Sequence, residues 1–478
     1  MSDIKEVNEE LSKKAQSDAA NKIGTEPVSK LLFKFSIPAI TGMLVNALYN
    51  FVDRIFVGQA VNEIALGGLS LVLPLMTIGM ALAMLFGIGT ANMISMRLGQ
   101  GKRRDAENAL DHCFFLLIGT GILMTVLGLI FLDPIISTMG AKEGSEAIGY
   151  AKEYFRVTLY GSVFFLVSFG LSHCTRAQGF PGVTMVSMIL GAVLNIIFDA
   201  IFIVWFKWGV EGAAWATVAA QGCSTAYILR FILSKKAVVR LNFRFLKPKP
   251  AIVKQIMAFG SAQFLLQLLI SIVQLLNNKS AGWYGAAALG VENGDAVALS
   301  GMSIVGAILM LILMPVFGIN QGAQPILGYN YGAKFYRRVL RAYIGAISAA
   351  TIICIAGFVI VQIFSVQLVR LFAPNGSDAL MEFAPRAMRI MMLLIPLAGF
   401  QIVSTNFFVV TGRPKTSIFL SLLRQCIAFI PCILIFGKFW GLWGVVAAAP
   451  VADGFAFVVT GLMILFELRK LYRKSKEI

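Results

Sequence analysis

The sequence predicts an all-α polytopic membrane protein, and three observations support this fold class. Of the 478 residues, 58% are hydrophobic and 14% are charged, whereas a soluble domain has about 25% charged residues. The mean hydropathy is +0.79. Apolar runs of roughly 20–27 residues alternate with short polar loops, and about 20 residues suffice for a helix to cross a bilayer. We therefore expect a bundle of membrane-spanning helices.

Twelve apolar runs are expected to span the membrane. Polar tails cover residues 1–30 and 468–478, and a polar linker at 234–254 divides the spans into two lobes of six, at 31–233 and 255–467. The spans are predicted at 31–57, 67–96, 109–131, 151–173, 182–206, 209–233, 255–279, 298–325, 339–364, 386–410, 416–437 and 440–467.

The basic residues predict the orientation in the membrane. Most of the 41 lysine and arginine residues lie in the tails and in the loops on one side of the spans. Because such residues stay on the cytoplasmic side, we expect a multi-pass protein of the cell (inner) membrane with both termini in the cytoplasm. Basic segments such as "GKRRD" (101–105) are interpreted as topology signals and contacts with anionic lipids. Membrane lipids are therefore expected partners, and nucleic acid is not.

The sequence offers no candidate for enzyme chemistry. The six cysteines show no CxxC spacing, which argues against a disulfide framework and a zinc site. Neither histidine has an acidic partner at a catalytic spacing. We expect no catalytic residues and no bound cofactor.

The two halves of the chain repeat each other. "GFPGVTMVS" (179–187) matches "GRPKTSIFL" (412–420), and "WGVEGAAWATVAAQ" (208–221) matches "WGLWGVVAAAPVAD" (440–453). Six spans separate the copies, so both halves have the same orientation. Parallel repeats of this kind build transporters whose pathway lies at the repeat interface.

Polar residues on three spans of the first half are expected at one depth in the membrane. Span 1 carries Asp53 with Asn46, Tyr49 and Asn50 nearby, and Pro38 is a predicted hinge within the same span. Span 5 carries Asn195 and Asp199, and span 6 carries Thr217. Together with Asp53 these residues form the predicted cation or proton site. Carboxylate, amide and hydroxyl oxygens suit Na⁺, whereas two nearby carboxylates would instead hold a proton.

The second half lacks this cluster but has polar residues of its own. The repeat aligns Asn277 with Asp53. It aligns apolar residues with Asn195, Asp199 and Thr217. The predicted cavity-lining residues, which add to Asn46, Tyr49 and Asn50, are Gln263, Gln267, Gln274, Asn277 and Asn278. Arg424 and Asp453, each placed near the middle of its span, are expected to form a structural ion pair.

Three segments of the first half carry a resemblance to a known family, namely "PAITGMLVNALYNFVDRIFVGQ", "RAQGFPGVTMVSMILGAVLNIIFDAIFI" and "GVEGAAWATV". Through them the chain, from about residue 30 to 470, resembles the multidrug and toxic compound extrusion (MATE) family, in its DinF-like or MepA-like branch. The resemblance implies two six-helix bundles in a V-shaped arrangement. It also implies export of amphipathic, cationic drugs against inward Na⁺ or H⁺ flow by alternating access, with the ion site at the four positions named above.

Two alternatives remain open within membrane transport. A flippase for a lipid-linked saccharide shares this architecture, but it should have a strongly basic cavity, whereas Arg424 alone lies in the middle of a span. An ion channel is disfavoured because no filter-like loop is present. The sequence does not distinguish Na⁺ from H⁺ or identify the substrate, and a monomer is the expectation from the family.

Overall fold

The computed structural model describes residues 22–60, 63–137, 146–243, 249–288, 294–374 and 376–476. For some residues near the gaps only the backbone is described. Asn46, Tyr49, Asn50 and Asp53 are among them. Across the described ranges the chain is helical apart from short turns, and these ranges contain no β-strand.

The helices of the first half follow the predicted spans and extend beyond most of them. A short π-helical stretch, Ala200–Trp205, continues α7. In chain order the helices are α1 (Val28–Ala60), α2 (Glu63–Gly99), α3 (Arg103–Ile130), α4 (Leu132–Ser137), α5 (Glu146–Tyr160), α6 (Ser162–Ala177), α7 (Pro181–Asp199) and α8 (Gly209–Leu233).

The helices of the second half follow the same plan. A π-helical stretch, Leu423–Phe429, joins α14 to α15. In chain order the helices are α9 (Pro250–Ala288), α10 (Gly294–Gly332), α11 (Tyr336–Phe372), α12 (Asp378–Met391), α13 (Ile395–Val410), α14 (Pro414–Leu422) and α15 (Ile430–Lys474).

Within the described part of the chain, these helices provide the twelve predicted spans. Eight continuous runs are long and apolar enough to cross a membrane, and the bent pairs α5–α6 and α12–α13 raise the number to ten. One of the eight runs, Pro414–Lys474, breaks at Gly441 and therefore supplies two spans. The 25-residue helix α8, which is richer in alanine and polar residues, is the twelfth.

The bend of 58° between α5 and α6 has a packing cause. A Cβ atom at Gly161 would lie 2.4 Å from Cγ2 of Val218, so glycine lets the junction between α5 and α6 pack closely against α8. The hydroxyls of Thr125 and Ser162 donate to the carbonyl oxygen of Leu159 at 2.7 and 2.8 Å. They satisfy a backbone acceptor at the point where the helix breaks.

The backbone repeats as the sequence does. Most residues with positive φ in the described chain form pairs 232 or 233 positions apart, namely Gly101 with Lys334, Gly179 with Gly412, and Gly209 with Gly441. In the last pair the φ angles are 59° and 58°. The two halves therefore turn at corresponding points in corresponding conformations.

The described chain packs into two compact units. The N-terminal unit extends to Phe264 and also includes Gln324–Phe335, and the C-terminal unit has Leu265–Ala323 and the residues from Tyr336 onward. The core of the N-terminal unit includes Phe155, Leu159 and Val218. The core of the C-terminal unit includes Met302, Phe383 and Leu442.

Large apolar side chains also cover much of the outer surface. Ile130 and Ile352 are each 65% exposed and Phe466 is 71% exposed. A soluble protein avoids contiguous apolar surface of this kind, whereas lipid tails solvate it. The surface therefore agrees with the twelve-span membrane fold.

Candidate functional site

Three of the predicted ion-site residues lie on the neighbouring helices α7 and α8. Asn195 and Asp199 are one helical turn apart on α7, and they are 2% and 0% exposed. Thr217 on α8 is 9% exposed. The Asn195 amide Nδ2 donates to the Thr217 hydroxyl at 3.4 Å, so the two helices are joined by a polar contact inside the unit.

The side-chain amide of Asn195 bonds Thr217 through its nitrogen, and its oxygen has no partner in the described structure. Its Oδ1 atom is buried and accepts no hydrogen bond from the described residues. A buried polar atom in this condition costs free energy unless a ligand or water satisfies it. Asn195 Oδ1 is therefore one candidate ligand for a cation or a water molecule.

Asp199 lies at the junction between two kinds of helix. The α-helical part of α7 ends at Asp199, and the π-helical stretch begins at Ala200. Short π-helical segments inside α-helices are frequent at functional sites because they shift the side chains that follow. Beyond the junction, the Phe202 ring stacks on Trp208 with 5.1 Å between centroids and fixes the turn into α8.

Two cavities adjoin this group of residues within the N-terminal unit. Asn195 and Thr217 line a small cavity of 90 Å³ together with Ser187, Gln221 and Ser224. Thr217 and Gln221 also line a larger cavity of 420 Å³, whose remaining wall is mostly apolar and aromatic. Thr217 thus lies on a wall that the two cavities share.

The predicted residues of α1 lie partly outside the described structure. Asn46, Tyr49, Asn50 and Asp53 lie in the continuous helix α1, but their side chains are not among those described. Pro38 lies inside the same helix, which runs unbroken from Val28 to Ala60. The ion-site role of Asp53 and the hinge role of Pro38 therefore stay predictions.

Helix α1 approaches α7 closely. A Cβ atom at Gly42 would lie 2.4 Å from the sulfur of Met188. Glycine at this position lets α1 pack directly against the helix that carries Asn195 and Asp199.

The predicted cavity residues of α9 fall into two groups. Gln263 and Gln267 are partly buried and line none of the cavities described here. Gln274 donates to Asn278 at 3.1 Å. Gln274 and Asn277 line a cavity of 160 Å³ that lies entirely within the C-terminal unit.

The predicted ion pair borders the same cavity. Arg424 Nε donates to Asp453 Oδ1 at 2.7 Å, and the two side chains are 29% and 13% exposed. Arg424 lies in the π-helical stretch Leu423–Phe429. The structure therefore brings together Gln274, Asn277 and the charged pair, which the sequence had assigned to different roles.

Sequence reasoning missed several polar residues around the N-terminal cavities. Gln221 lies one turn after Thr217, so the i, i+4 spacing could have indicated it. Ser187 and Ser224 each donate to the other's backbone carbonyl oxygen, at 3.3 and 3.2 Å, and no sequence signal indicated this contact.

Three further polar side chains anchor the segment that joins the two lobes. Asp111 accepts from the backbone N–H of Asn242 at 3.1 Å, and His112 Nε2 accepts from that of Lys249 at 2.9 Å. Gln178 Oε1 accepts from the N–H of Val239 at 2.8 Å. The basic linker is thereby attached to the ends of α3 and α6.

No group of three or more His, Cys, Asp or Glu side chains suitable for a transition metal occurs among the described residues. The ligand atoms that Asn195, Asp199 and Thr217 offer are amide, carboxylate and hydroxyl oxygens. Hard cations such as Na⁺ prefer oxygen ligands of this kind.

Comparison with known proteins gives a consistent result. A family model described as MatE matches residues 38–201 and 263–434. Over 450 residues the chain is 26% identical to the multidrug export protein MepA of Staphylococcus aureus, which covers 93% of this chain and 94% of that protein.

Two solved structures have the same overall fold. One, described as the outward-facing conformation of a multidrug resistance MATE family transporter of the MOP superfamily, has a TM-score of 0.86 and 26% identity, covering 95% of this chain and 98% of the other. The second is a MOP superfamily transporter from Pyrococcus furiosus, for which a reverse polarity of the binding pocket is taken to suggest a different function. It has a TM-score of 0.86 and 26% identity, covering 94% of this chain and 98% of the other.

Proposed function

The chain belongs to the MATE family of membrane transporters, and we propose that it is a cation-coupled antiporter that exports amphipathic, cationic organic compounds. The observation that carries the proposal is the fully buried Asp199, one turn from Asn195, whose amide bonds Thr217 beside two cavities. The similarity to the multidrug export protein MepA supports export as the direction of transport.

The burial of Asp199 is the basis of the ion coupling. A carboxylate inside a membrane costs roughly 2.5–3.5 kcal/mol even on lenient insertion scales. A bound Na⁺ or a proton removes that cost, and the Asn195 and Thr217 oxygens add neutral ligands for a cation. In this proposal Asp53 supplies the second carboxylate from α1.

The larger cavity of the N-terminal unit is the proposed substrate space. Its wall includes Phe165 and Phe169, with Met76 and Met80 nearby. Aromatic faces attract organic cations, and flexible methionines adapt to substrates of different shape. Its volume of 420 Å³ lies in the range of small-molecule sites.

Exchange follows if ion and substrate favour different conformations. Thr217 and Gln221 line both the small cavity and the larger one. In this proposal, occupancy of the ion site acts on the wall of the substrate cavity through these two residues. A ligand shifts a conformational equilibrium only through such a difference in affinity for the two states, and Thr217 and Gln221 are the residues through which we expect it to act.

The remaining expectations follow from the charge pattern and, for the oligomeric state, from the family. We propose that the protein resides in the cytoplasmic membrane with both termini in the cytoplasm, works as a monomer and contacts anionic lipids through its basic loops. The molar mass of the purified protein in detergent tests the monomer. Protease accessibility of the termini in oriented vesicles tests the orientation.

The decisive experiment is efflux of ethidium, a fluorescent organic cation, from proteoliposomes under separately imposed Na⁺ and pH gradients. We expect one of the two gradients to drive efflux by the wild-type protein. Asp199→Asn and Asp53→Asn should abolish the response to that gradient, because each removes a charge that the ion neutralises.

A matched control is available in Asp295, an exposed carboxylate in the first turn of α10. Asp295→Asn removes the same charge from the surface and should leave efflux at the wild-type rate. Efflux by wild-type protein that ignores both gradients, or full gradient-driven efflux by both site variants, overturns the proposal.

A further inference from the structure

The C-terminal unit contains a cavity that the proposed ion and substrate sites do not use. It measures 160 Å³, and one side of its wall is formed by Leu309 and Ile395 with Met302 and Met391. A cavity of about 150 Å³ with aliphatic walls holds a single benzene ring. The space therefore fits one aromatic ring.

The opposite wall is polar and incompletely satisfied. Asn277, 8% exposed, lines the cavity, and its Oδ1 accepts no hydrogen bond from the described residues. Gln274 and Gln425 lie on the same wall. A buried amide oxygen without a partner indicates a position where an N–H or O–H donor is supplied from the cavity, which for a carboxylate ligand is a water molecule bound beside it.

Arg424 has hydrogen-bonding capacity left over. In the described structure it bonds Asp453 through Nε alone, at 2.7 Å. A guanidinium has five N–H donors, and Arg–carboxylate pairs are frequently bidentate, so the single bond through Nε leaves the Nη donors of Arg424 available to a second acceptor. The Arg424 side chain is 29% exposed, against 13% for Asp453, so the cation is the more accessible partner.

The repeat gives independent support. Ala449, Ala452 and Asp453 line this cavity, and the 232-residue offset relates them to positions 217, 220 and 221, all of which line the small cavity of the N-terminal unit. Both halves thus enclose a cavity against the same helix face. The copy in the C-terminal unit has a guanidinium where the other copy has only neutral groups.

We propose that this cavity is a binding subsite for the carboxylate of an aromatic carboxylic acid. The carboxylate accepts from the Nη donors of Arg424, Asp453 stays on Nε, and the ring packs against Met302 and Met391, whose sulfur atoms contact aromatic rings favourably. The ligand is an anion, so this inference is independent of the proposed export of organic cations, and binding at the subsite is measurable without transport.

The test is a titration of the full-length protein in phosphatidylcholine nanodiscs with 4-fluorobenzoate, followed by fluorine NMR. The matched neutral probe is 4-fluorobenzamide. Wild-type protein should bind the carboxylate more tightly than the amide. Arg424→Gln should weaken carboxylate binding about tenfold or more, because a hydrogen bond to a charged group is lost, and amide binding should change little. Asp453→Asn removes the competing carboxylate and should strengthen binding.

Glycine variants test the place of binding without changing any charge. A Cβ atom at Gly306, which lines the cavity, meets no described atom within 4 Å, and the same holds for Gly461, which does not line it. Gly306→Leu should therefore fill the cavity and abolish binding of 4-fluorobenzoate, whereas Gly461→Leu should bind as the wild type does.

Equal affinity of wild-type protein for the two probes overturns the subsite, as does unchanged carboxylate binding in both Arg424→Gln and Gly306→Leu. If Arg424→Gln fails to fold, Gly306→Leu against Gly461→Leu decides alone. If wild-type protein shows no preference for the carboxylate but retains gradient-driven ethidium efflux, only this inference is refuted. If wild-type protein shows no ion-driven efflux, the proposed function is refuted.

Discussion

The helix pairs α7–α8 and α14–α15 share a backbone plan and differ in their chemistry. Each pair begins at a proline, Pro181 or Pro414, and each contains a π-helical stretch. In each pair the chain turns at a glycine of φ close to 60°, Gly209 at the start of α8 and Gly441 inside α15. The N-terminal pair carries a buried acid with neutral oxygen donors, and the C-terminal pair carries an arginine with an acid.

The difference shows that the frame of the repeat does not require polar residues at these places. Counterparts of the proposed ion-site residues in the second half are apolar; Asn195, Asp199 and Thr217 correspond to Ile427, Pro431 and Ala449. Burial of polar groups costs free energy, so their restriction to one half favours a function over a packing role. The two units can therefore be tested separately.

The largest effect is expected when one aspartate in each unit is replaced, in separate variants, by asparagine. Asp199→Asn should lower gradient-driven ethidium efflux at least about tenfold, since the charge that binds the coupling ion is lost. Asp453→Asn should retain most of the wild-type rate, because in this account the C-terminal acid does not couple. Initial rates in proteoliposomes measure both. Equal losses in the two variants would remove the functional contrast between the units.

The next effect concerns the hydroxyl of the N-terminal pair. Thr217→Val keeps the side-chain shape but leaves the Asn195 amide without its acceptor and the ion without a neutral ligand. We expect the apparent affinity for the coupling ion to fall roughly tenfold. Thr217→Ser keeps the hydroxyl and is the control. The ion concentration at half-maximal efflux measures the change, and similar values for the two variants would contradict the role of the hydroxyl.

The charged pair of the C-terminal unit should contribute to stability. Arg424→Leu leaves Asp453 mostly buried without its partner, and this should cost about 1–3 kcal/mol, less than for a fully buried pair because Arg424 is partly exposed. Thermal unfolding in detergent checks the direction. The double variant Arg424→Leu/Asp453→Leu should recover part of the loss. If the double variant loses more stability than the two single variants together, the pairing is excluded.

The smallest effect compares two glycines, one in each unit. Gly161→Ala introduces a methyl group 2.4 Å from Val218 and should destabilise the N-terminal unit by about 1–2 kcal/mol. Gly461→Ala in α15 meets open space and should be neutral or stabilising by up to about 1 kcal/mol, since alanine favours helices. The two apparent Tm values should move in opposite directions or differ clearly. Equal shifts would show that the close approach at Gly161 is unimportant.

Much of the fold was predictable from the sequence because membrane spans leave strong local signals. Twelve apolar runs and the Gly-x-Pro and Trp-Gly pairs gave the spans and the repeat, and the predicted limits 209–233 coincide with α8. Other helices extend further than predicted: α9 was expected to end at Lys279, but its small and aromatic residues beyond that lysine continue the helix to Ala288.

The site was less predictable because its details depend on contacts between helices. Helical spacing was enough to pair Asn195 with Asp199, and a depth estimate brought in Thr217. The π-helical stretches, the exchange of hydrogen bonds between Ser187 and Ser224, and the cavity beside Arg424 arise only when helices pack. A sequence pattern of period 3.6 contains no record of an i to i+5 hydrogen bond.

Linkage between ion and substrate is the central claim, and it is tested most directly by equilibrium binding of ethidium to the purified protein with and without a saturating concentration of the coupling ion. Competing ligands must weaken each other by the same factor. We predict that the ion raises the Kd of ethidium for the wild-type protein and leaves it unchanged for Asp199→Asn. An ion-independent Kd in the wild type, or the same ion dependence in the variant, would contradict the account.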